Sequence, residues 1–422
     1  MGSTPSFQSF IPVSPESHFP IQNLPYGVFS INNLQPRIGV AIGEFILDLC
    51  KLESKGYFDT ILTGSPVFDK NSLNEFINLG SEIWQKIRTK LQYLLQDTTS
   101  ILRDDKSLRE DVFYKQELCK MYLPIKIGEF TDFYSSYNHA FNVGNMIRGP
   151  ENALMPNWKH LPVAYHGRAS SVIVTETNIK RPKGQILPPG SEIPVFQPTG
   201  RLDYELEMGF IIGKSNDLGE PVDIDSAEDH IFGYVLLNDW SARDVQVWEY
   251  RPLGPFLAKN FATSISPWVV TSLALEPFKT QVSSQDPEPL DYLKSSNNFV
   301  YDIELYALIQ SETMNTPMQL THTNHKYLYW SPIQQLTHHT ITGCNLQVGD
   351  LLGSGTISGP TQESRGCLLE INELGKKPIT LNDGNVRLFL QDGDTIILSG
   401  FCQGADFRVG FGEVRTKILP AN

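Results

Sequence analysis

Three carboxylates alternate with apolar residues in the segment Asp203–Met208, which reads Asp-Tyr-Glu-Leu-Glu-Met. Because side chains in a β-strand alternate between its two faces, a strand here would direct Asp203, Glu205 and Glu207 to one side. Next-but-one residues lie roughly 6.5–7 Å apart, so the carboxylates repel one another unless a cation or a proton lies among them. Hard divalent cations such as Ca²⁺ and Mg²⁺ prefer such oxygen ligands. A solvated polar face of an amphipathic strand is the alternative interpretation.

Three further groups of polar residues stand where apolar segments end, which is where loops build functional sites. They are Thr131–His139 with Arg148, Leu237–Gln246 with Tyr250, Lys259 and Thr263, and Gly353–Gly359 with Glu370. Each has a structural alternative when it is considered alone. Asp239 could cap a turn, and Arg243 could pair with Asp244 at the surface. His139 could be a hydrogen-bonded core histidine, and the glycine-rich segment lacks the Gly-Lys-Ser/Thr sequence of a phosphate-binding loop.

The composition argues against several classes of partner and chemistry. The 422-residue chain has a formal net charge of −13, whereas surfaces that bind nucleic acid are basic. No apolar segment reaches the roughly 20 residues of a membrane-spanning helix, and the N-terminus lacks the pattern of a secretory signal. The five cysteines are widely spaced without a Cys-x-x-Cys pair, which favours core thiols in a reducing cytosol. The sequence contains no Gly-x-Ser-x-Gly segment, so it lacks the main pattern of a serine hydrolase.

The chain is too long for one average domain, and its pattern changes near residue 122. Before that point the sequence predicts short strands and two helices, the first of which would begin at a capping box, Ser72-x-x-Glu75. The predicted strands are Tyr26–Ser30, Arg37–Ile42 and Glu44–Leu49, and the second helix spans Ser81–Gln96. From about residue 123 many short β-like segments alternate with Gly and Pro. We therefore predict an α+β, mostly β fold, with a small barrel-like supporting domain (1–122) and a large mixed β-sandwich or roll (123–422).

Several of these segments together resemble the fumarylacetoacetase family. The resembling segments are Thr131–His139, Glu151–Trp158, Leu161–Arg168, Leu237–Gln246 and Ser354–Pro360. The similarity covers nearly the whole chain, and the sequence Asn-Asp-Trp-Ser-Ala-Arg-Asp at 238–244 is highly specific to this family and its close superfamily. The full-length N-terminal domain is also typical of the family and not of its shorter relatives. Departures at Ala262 and at Tyr137-Asn138 lie outside the functional positions.

The resemblance implies distinct roles for the polar residues. The carboxylate ligands of a Ca²⁺ or Mg²⁺ ion would be Asp132, Glu205, Glu207 and Asp239. A second cation would lie near Asp239, Lys259 and Thr263, in part through main-chain oxygens. Contacts with the substrate would come from Tyr134, Arg148, Arg243, Gln246, Tyr250 and Thr356. His139 would be the general base, oriented by Glu370. Arg243, Gln246 and Lys259 would stabilise the negative charge that develops on the leaving group.

The activity that the resemblance implies is hydrolysis of the carbon–carbon bond of 4-fumarylacetoacetate to fumarate and acetoacetate, the last step of tyrosine and phenylalanine breakdown. It also implies a cytosolic homodimer. Two alternatives stay open. A related acylpyruvate hydrolase or oxaloacetate decarboxylase would use the same carboxylates without the His139–Glu370 pair. A non-catalytic binding protein on this fold would have lost one or more charged residues of the site.

Overall fold

The structure is a computed structural model that describes residues 8–32 and 34–422. Among these residues the first sheet is antiparallel and is formed by the N-terminal part of the chain. Its strands, in spatial order, are Phe113–Lys115, Phe45–Asp48, Arg37–Ile42, Tyr26–Ser30 and Lys120–Tyr122. The α-helices of this part are Leu49–Ser54, Asn74–Ile77, Ser81–Leu95, Ser100–Arg103 and Lys106–Val112. The three predicted strands and the long predicted helix are thereby confirmed to within two residues.

The predicted capping box is wrong. The short helix Asn74–Ile77 has Leu73 at its N-cap, with no side-chain cap. Leu73 is fully buried, and its amide donates to the carbonyl of Pro124 at 2.8 Å. Tertiary contacts therefore fix where this helix starts, and they outweigh the local preference of Ser72 for a cap.

The second sheet, called the site sheet below, is mixed. Its strands, in spatial order, are Ala164–His166, Phe130–Phe133, Leu351–Gly353, Leu206–Ile212, Ile231–Asp239, Thr263–Ile265 and Val172–Val174, with Val270–Thr271 also paired to Ile231–Asp239. The strand Phe130–Phe133 runs parallel to Leu351–Gly353, although more than 200 residues separate them in sequence. This pairing brings the first and last polar groups of the chain to the same sheet.

The third sheet and several two-stranded ribbons complete the β-structure. The third sheet contains Met318–Asn324, Glu304–Gln310, Thr395–Gln403, Arg408–Leu419 and Ile179–Lys180. The ribbons pair Lys183–Ile186 with Val195–Pro198, Leu202–Asp203 with Ser241–Ala242, Lys279–Gln281 with Phe299–Tyr301, and Ile379–Thr380 with Val386–Arg387.

Helices are short in this larger part of the chain. The α-helices are Tyr137–Arg148, Arg243–Glu249, Ser272–Leu275, Pro332–Thr340 and Leu368–Ile371. The 3₁₀ turns of the described residues are Gln116–Leu118, Pro150–Asn152, Ala169–Ser171, Ile224–His230, Glu276–Phe278, Asp291–Leu293, His325–Tyr327 and Gln362–Ser364. No helix of the described residues is both long and apolar enough to cross a membrane.

The site sheet is covered on both faces. Met208 and Phe210 pack into a core that includes Leu305 of the third sheet. Ile211 and Val235 belong to another core, shared with the N-terminal sheet and its long helix. Because residues alternate along a strand, Glu207 shares the face of Ile211. The α+β, strand-rich fold that the sequence predicts is confirmed, and its two cores hold the site sheet between them.

Candidate active site and metal centre

Four carboxylates converge where strands of the site sheet end. Asp132 and Glu207 lie within the strands Phe130–Phe133 and Leu206–Ile212, while Asp239 ends its own strand and Glu205 directly precedes a strand. One oxygen of each lies within 4.8 Å of the others, and all four side chains are buried. The four predicted ligands are therefore brought together, and we call them the carboxylate cluster.

Asp203 does not join this cluster, although strand alternation places it on the same face. The strand is interrupted, because Leu202–Asp203 pairs with Ser241–Ala242 rather than continuing along the site sheet. The Asp203 carboxylate instead accepts from Nε of Arg243 at 2.9 Å and from the amides that begin the helix Leu368–Ile371. Asp203 thus connects the arginine to the helix that carries Glu370.

The loop that follows the strand Leu351–Gly353 closes over the cluster. The amide of Gly355 donates to Oδ1 of Asp132 at 3.1 Å and to Oε2 of Glu207 at 3.0 Å. Gly355 has φ +76°, and a Cβ there would lie 2.2 Å from the carbonyl oxygen of Phe133. Only glycine allows the backbone to approach two carboxylates this closely.

Two buried cations neutralise part of the cluster. Nη1 of Arg243 donates to Oε1 of Glu205 at 2.7 Å, and Lys259 donates to the other oxygen of Glu205 and to Oδ2 of Asp239 at 2.7 Å. Thr263 also donates to Asp239, at 3.1 Å. The side chains of Lys259 and Thr263 are thus hydrogen-bond donors to a carboxylate. An ammonium group cannot bind a metal, so the expected second cation near them would need main-chain oxygens and stays a prediction.

Tyr165 belongs to the site, although the sequence analysis does not predict it. Its hydroxyl donates to Oδ2 of Asp239 at 2.7 Å. It lies in the three-residue strand Ala164–His166, which is too short to show a periodic pattern. The register of this strand, with Tyr165 opposite Asp132, is what brings the hydroxyl to the cluster.

The pKa values of three carboxylates in the cluster are shifted, and not all in the same direction. Burial would raise the pKa of Glu205, but the nearby Lys259 and Arg243 outweigh it and lower this pKa to about 2. Burial and the neighbouring carboxylates raise the pKa of both Asp132 and Glu207 well above the ordinary range. Within the described residues, buried Oε1 of Glu207 has no hydrogen-bond partner. Excess negative charge and an orphaned oxygen are what a hard divalent cation would satisfy, so the residues fit a Ca²⁺ or Mg²⁺ ion.

A buried histidine–carboxylate pair lies beside the cluster. His139, in the first turn of the helix Tyr137–Arg148, has Nδ1 2.6 Å from Oε2 of Glu370. Oε2 also accepts from Oγ of Ser358 at 2.7 Å, and Oε1 accepts from Asn142 at 2.9 Å. Burial would raise the pKa of Glu370, but His139 and these hydrogen bonds lower it below the ordinary value. The hydrogen bond between His139 and Glu370 that we predicted is present, and the ionised carboxylate fixes the proton of the histidine on Nδ1.

Cys367 is a further neighbour of this pair. Its Sγ lies 3.4 Å from Oε2 of Glu370, and the residue is fully buried. Burial and the charge of Glu370 raise the pKa of the thiol well above its usual range, so the thiol keeps its proton. The sequence analysis does not predict this contact, which forms because Cys367 directly precedes the short helix that carries Glu370.

The predicted substrate contacts fall into two groups. Tyr134 packs edge-on against His139, with ring centroids 5.3 Å apart, and Gln246 accepts from Nη1 of Arg243 at 3.2 Å. Within the described residues, buried Nη2 of Arg243 has no partner, so it is available to an anion. Thr356 is buried in the loop that contains Gly355.

Two other predicted contacts lie further out. Tyr250, at the end of the helix Arg243–Glu249, is 37% exposed. Arg148 is exposed and donates to the carbonyls of Asn152 and Ala153 at 2.9 and 2.6 Å. Its guanidinium is therefore engaged by backbone, and any contact with a substrate would use its remaining donors.

Comparisons with known proteins agree with this fold and identify the family. The family description "Fumarylacetoacetase N-terminal" matches residues 22–124, and "Fumarylacetoacetate (FAA) hydrolase C-terminal" matches residues 129–419. A fumarylacetoacetase of Dictyostelium discoideum is 54% identical over 420 residues, which are 98% of each chain. The Homo sapiens fumarylacetoacetase is 52% identical over 414 residues, covering 98% of this chain and 99% of its own.

A solved structure shares the fold at low sequence identity. The fumarylacetoacetate hydrolase of Exiguobacterium antarcticum aligns with a TM-score of 0.53 and 18% identity, over 94% of this chain and 99% of that one. The family is shown by the two family matches and by the relatives of about 50% identity. The protein belongs to the fumarylacetoacetase family.

The first prediction concerns the charge of the cluster. Glu207→Gln should lower the affinity for Ca²⁺ or Mg²⁺ by at least about tenfold, or roughly 1.4 kcal/mol, because it removes a charged ligand that no protein cation neutralises. Titration calorimetry of the chelator-treated protein measures this. Asp350→Asn changes a buried carboxylate outside the cluster, one that accepts backbone amides, and serves as the matched control. Equal affinities for the two variants would contradict the assignment.

The second prediction concerns pH. The pKa values of Asp132 and Glu207 are raised in the folded, metal-free protein above the values of about 4 in the unfolded chain. Folding therefore takes up protons, so the stability of the metal-free protein should fall as pH rises from about 4 through the raised values. A cation binds the deprotonated carboxylates, so the rise in Tm that it causes should grow over the same interval.

Thermal unfolding over a series of pH values, with chelator and with added cation, measures both effects. Glu207→Gln should flatten the dependence on pH, because one of the two titrating groups is gone. A cation-induced shift in Tm that is the same at every pH would show that the cluster is already ionised without a metal.

Proposed function

We propose that the protein is a metal-dependent hydrolase that cleaves the carbon–carbon bond of 4-fumarylacetoacetate to give fumarate and acetoacetate, the last step of tyrosine breakdown. The observation that carries the proposal is the buried His139–Glu370 pair beside a buried carboxylate cluster. Fumarylacetoacetases of about 50% identity over their whole length support the choice of substrate. We further propose Ca²⁺ or Mg²⁺ as the cation, since both prefer oxygen ligands.

The reaction requires an activated water and an acceptor for a carbanion. The substrate is a 1,3-diketone, and water adds to the carbonyl carbon of its fumaryl group. The carbon–carbon bond then breaks, its electron pair leaves with the acetoacetate carbon as an enolate, and that carbon takes up a proton. A divalent cation held by Asp132, Glu205, Glu207 and Asp239 would polarise the substrate carbonyl as a Lewis acid.

We assign the role of general base to His139. Because its Nδ1–H donates to ionised Glu370, the lone pair of Nε2 is left to accept a proton from water. Glu370 has hydrogen-bond partners on both oxygens, which prevents it from rotating away from the histidine. It also stabilises the imidazolium that forms when His139 takes the proton. The same proton is available to the leaving carbon in the next step.

We assign the stabilisation of the enolate to the positive groups of the site. Arg243 has a buried Nη2 that no described residue accepts from, and Lys259 lies between Glu205 and Asp239. In a buried site such donors stabilise developing negative charge strongly, because water does not compete for them. Gln246, bound to Arg243, adds an amide to this side. We assign the recognition of the substrate to Tyr134, Arg148, Tyr250 and Thr356.

We also propose a cytosolic homodimer in which residues 1–122 form a supporting domain. Trp248, on the helix Arg243–Glu249, and Phe256, which follows that helix, are 41% and 67% exposed, and we assign them to the contact with a second copy. All five cysteines, which lie in the described part of the chain, are free thiols, as a reducing compartment would keep them.

Light scattering should give twice 47.5 kDa, the mass of a dimer. A mass of one chain at micromolar concentration would refute the dimer.

The third prediction tests the reaction itself. Purified protein should convert 4-fumarylacetoacetate into equimolar fumarate and acetoacetate, measured by chromatography. Chelation should abolish turnover, and added Ca²⁺ or Mg²⁺ should restore it. Acylpyruvates and oxaloacetate are the comparison substrates. A higher kcat/KM for either of them would replace this proposal with the related hydrolase or decarboxylase, and no turnover of any substrate would favour a binding protein.

The fourth prediction tests the histidine–glutamate pair. His139→Ala should lower kcat by about 10²–10⁴-fold, the usual contribution of general base catalysis. Glu370→Gln should cost somewhat less, and the double variant should be little worse than His139→Ala, because residues that act as a unit are not additive. His322 and Glu304 form a surface pair of the same 2.6 Å length, so His322→Ala is the matched control. Multiplicative losses in the double variant would show that His139 and Glu370 act independently.

A further inference from the structure

One oxygen of Glu370 lies within hydrogen-bonding distance of three donors. Oε2 lies 2.6 Å from Nδ1 of His139, 2.7 Å from Oγ of Ser358 and 3.4 Å from Sγ of Cys367. The mechanism proposed above uses the histidine and leaves the thiol without a role. His139, Cys367 and Glu370 are all buried, and each offers one ligand atom within 4.8 Å of the others.

The chemistry of these atoms differs from that of the carboxylate cluster. One imidazole nitrogen, one thiol sulfur and one carboxylate oxygen form a set that suits a tetrahedral, thiophilic cation such as Zn²⁺. The carboxylate cluster offers oxygens alone and suits a hard cation. The protein therefore holds two adjacent ligand sets with opposite preferences.

We propose that His139, Cys367 and Glu370 form a second metal site, which binds Zn²⁺ or a similar thiophilic divalent cation and thereby inhibits the enzyme. The inhibitory part rests on the proposed function, whereas the binding of the metal does not. Zinc bonds of about 2.0 Å to nitrogen and oxygen would widen the 2.6 Å contact between His139 and Glu370, and the Ser358 hydroxyl or a water would be the fourth ligand.

The balance of protons explains why such a cation would inhibit. Binding replaces the proton of the Cys367 thiol, which is released to solvent, while the histidine proton moves from Nδ1 to Nε2. One Zn²⁺ with one thiolate, one carboxylate and a neutral imidazole is electrically neutral, which favours the complex in a buried site. Nε2 of His139 then carries an N–H instead of a lone pair, so it cannot accept a proton from water.

Cys367 can be tested against a cysteine of similar burial. Among the described residues, which include all five cysteines, Cys367 is the only cysteine in a group of three possible ligands. Cys402 is also fully buried, but it lies in the apolar core between the sheets. Cys402→Ser therefore controls for the loss of a buried thiol, and Cys367→Ser removes the proposed ligand.

The experiment uses the full-length protein with Mg²⁺ in excess, so that the carboxylate cluster is saturated. Titration with Co²⁺ should produce a thiolate-to-metal charge-transfer band in the wild type and in Cys402→Ser, and Zn²⁺ should abolish it by competition. Cys367→Ser should lack the band. Zn²⁺ should inhibit turnover of 4-fumarylacetoacetate, and Cys367→Ser should raise the inhibitory concentration at least about tenfold, since removing a ligand costs no less than removing its supporting group.

Two readouts separate this proposal from the proposed function. A band in Cys367→Ser equal to that of the wild type, or no band in any variant, would overturn the second metal site. A band without any turnover would support the metal site and contradict the proposed reaction. If Cys367→Ser does not fold, Glu370→Gln keeps the thiol and should still weaken the band. A band unchanged by that substitution would equally overturn the site.

Discussion

Four carboxylates in one buried volume are the constraint on which this structure depends. Burial and mutual repulsion both disfavour their ionised forms, and for these two reasons the pKa values of Asp132 and Glu207 are raised. Lys259 and Arg243 form ion pairs with the cluster on one side, and the amide of Gly355 donates to it on the other. What remains of the negative charge is balanced by protons or by a cation. Binding of a metal is therefore linked to the stability of the core as well as to chemistry.

A single loop connects the carboxylates to the histidine. Gly355 binds the cluster, and three residues later Ser358 donates to Glu370. The amide of Ser358 donates to Ser136, which caps the helix that carries His139. The positions of the base, of its carboxylate and of the cluster are thus coupled through one short segment. A change in this loop would disturb the geometry of all three.

The sequence predicted most of the site but not how its parts are held. Strand alternation correctly placed Glu205 and Glu207 together, yet it also included Asp203, because no local signal marks the break in the strand after that residue. The interpretation of Arg243 and Asp244 as a surface pair is wrong. Arg243 is buried against Glu205, and Asp244 accepts from the amide of Gly200. The roles of the residues came from the family resemblance. The hydrogen bond of Tyr165 with Asp239, 74 residues away in sequence, follows from strand register and leaves no local pattern.

The parallel pairing of Phe130–Phe133 with Leu351–Gly353 has a consequence for how the protein is made. Asp132 lies opposite Gly353, so the strand that carries Asp132 completes its pairing only after residue 353 has been synthesised. Closing so long a loop has a large entropic cost, and folds dominated by distant pairings form slowly. During translation the earlier strands of the site sheet therefore expose apolar surface until Leu351–Gly353, the last strand of this sheet in sequence, can pair with them. An ability to bind the cation would be among the final properties that the nascent chain acquires.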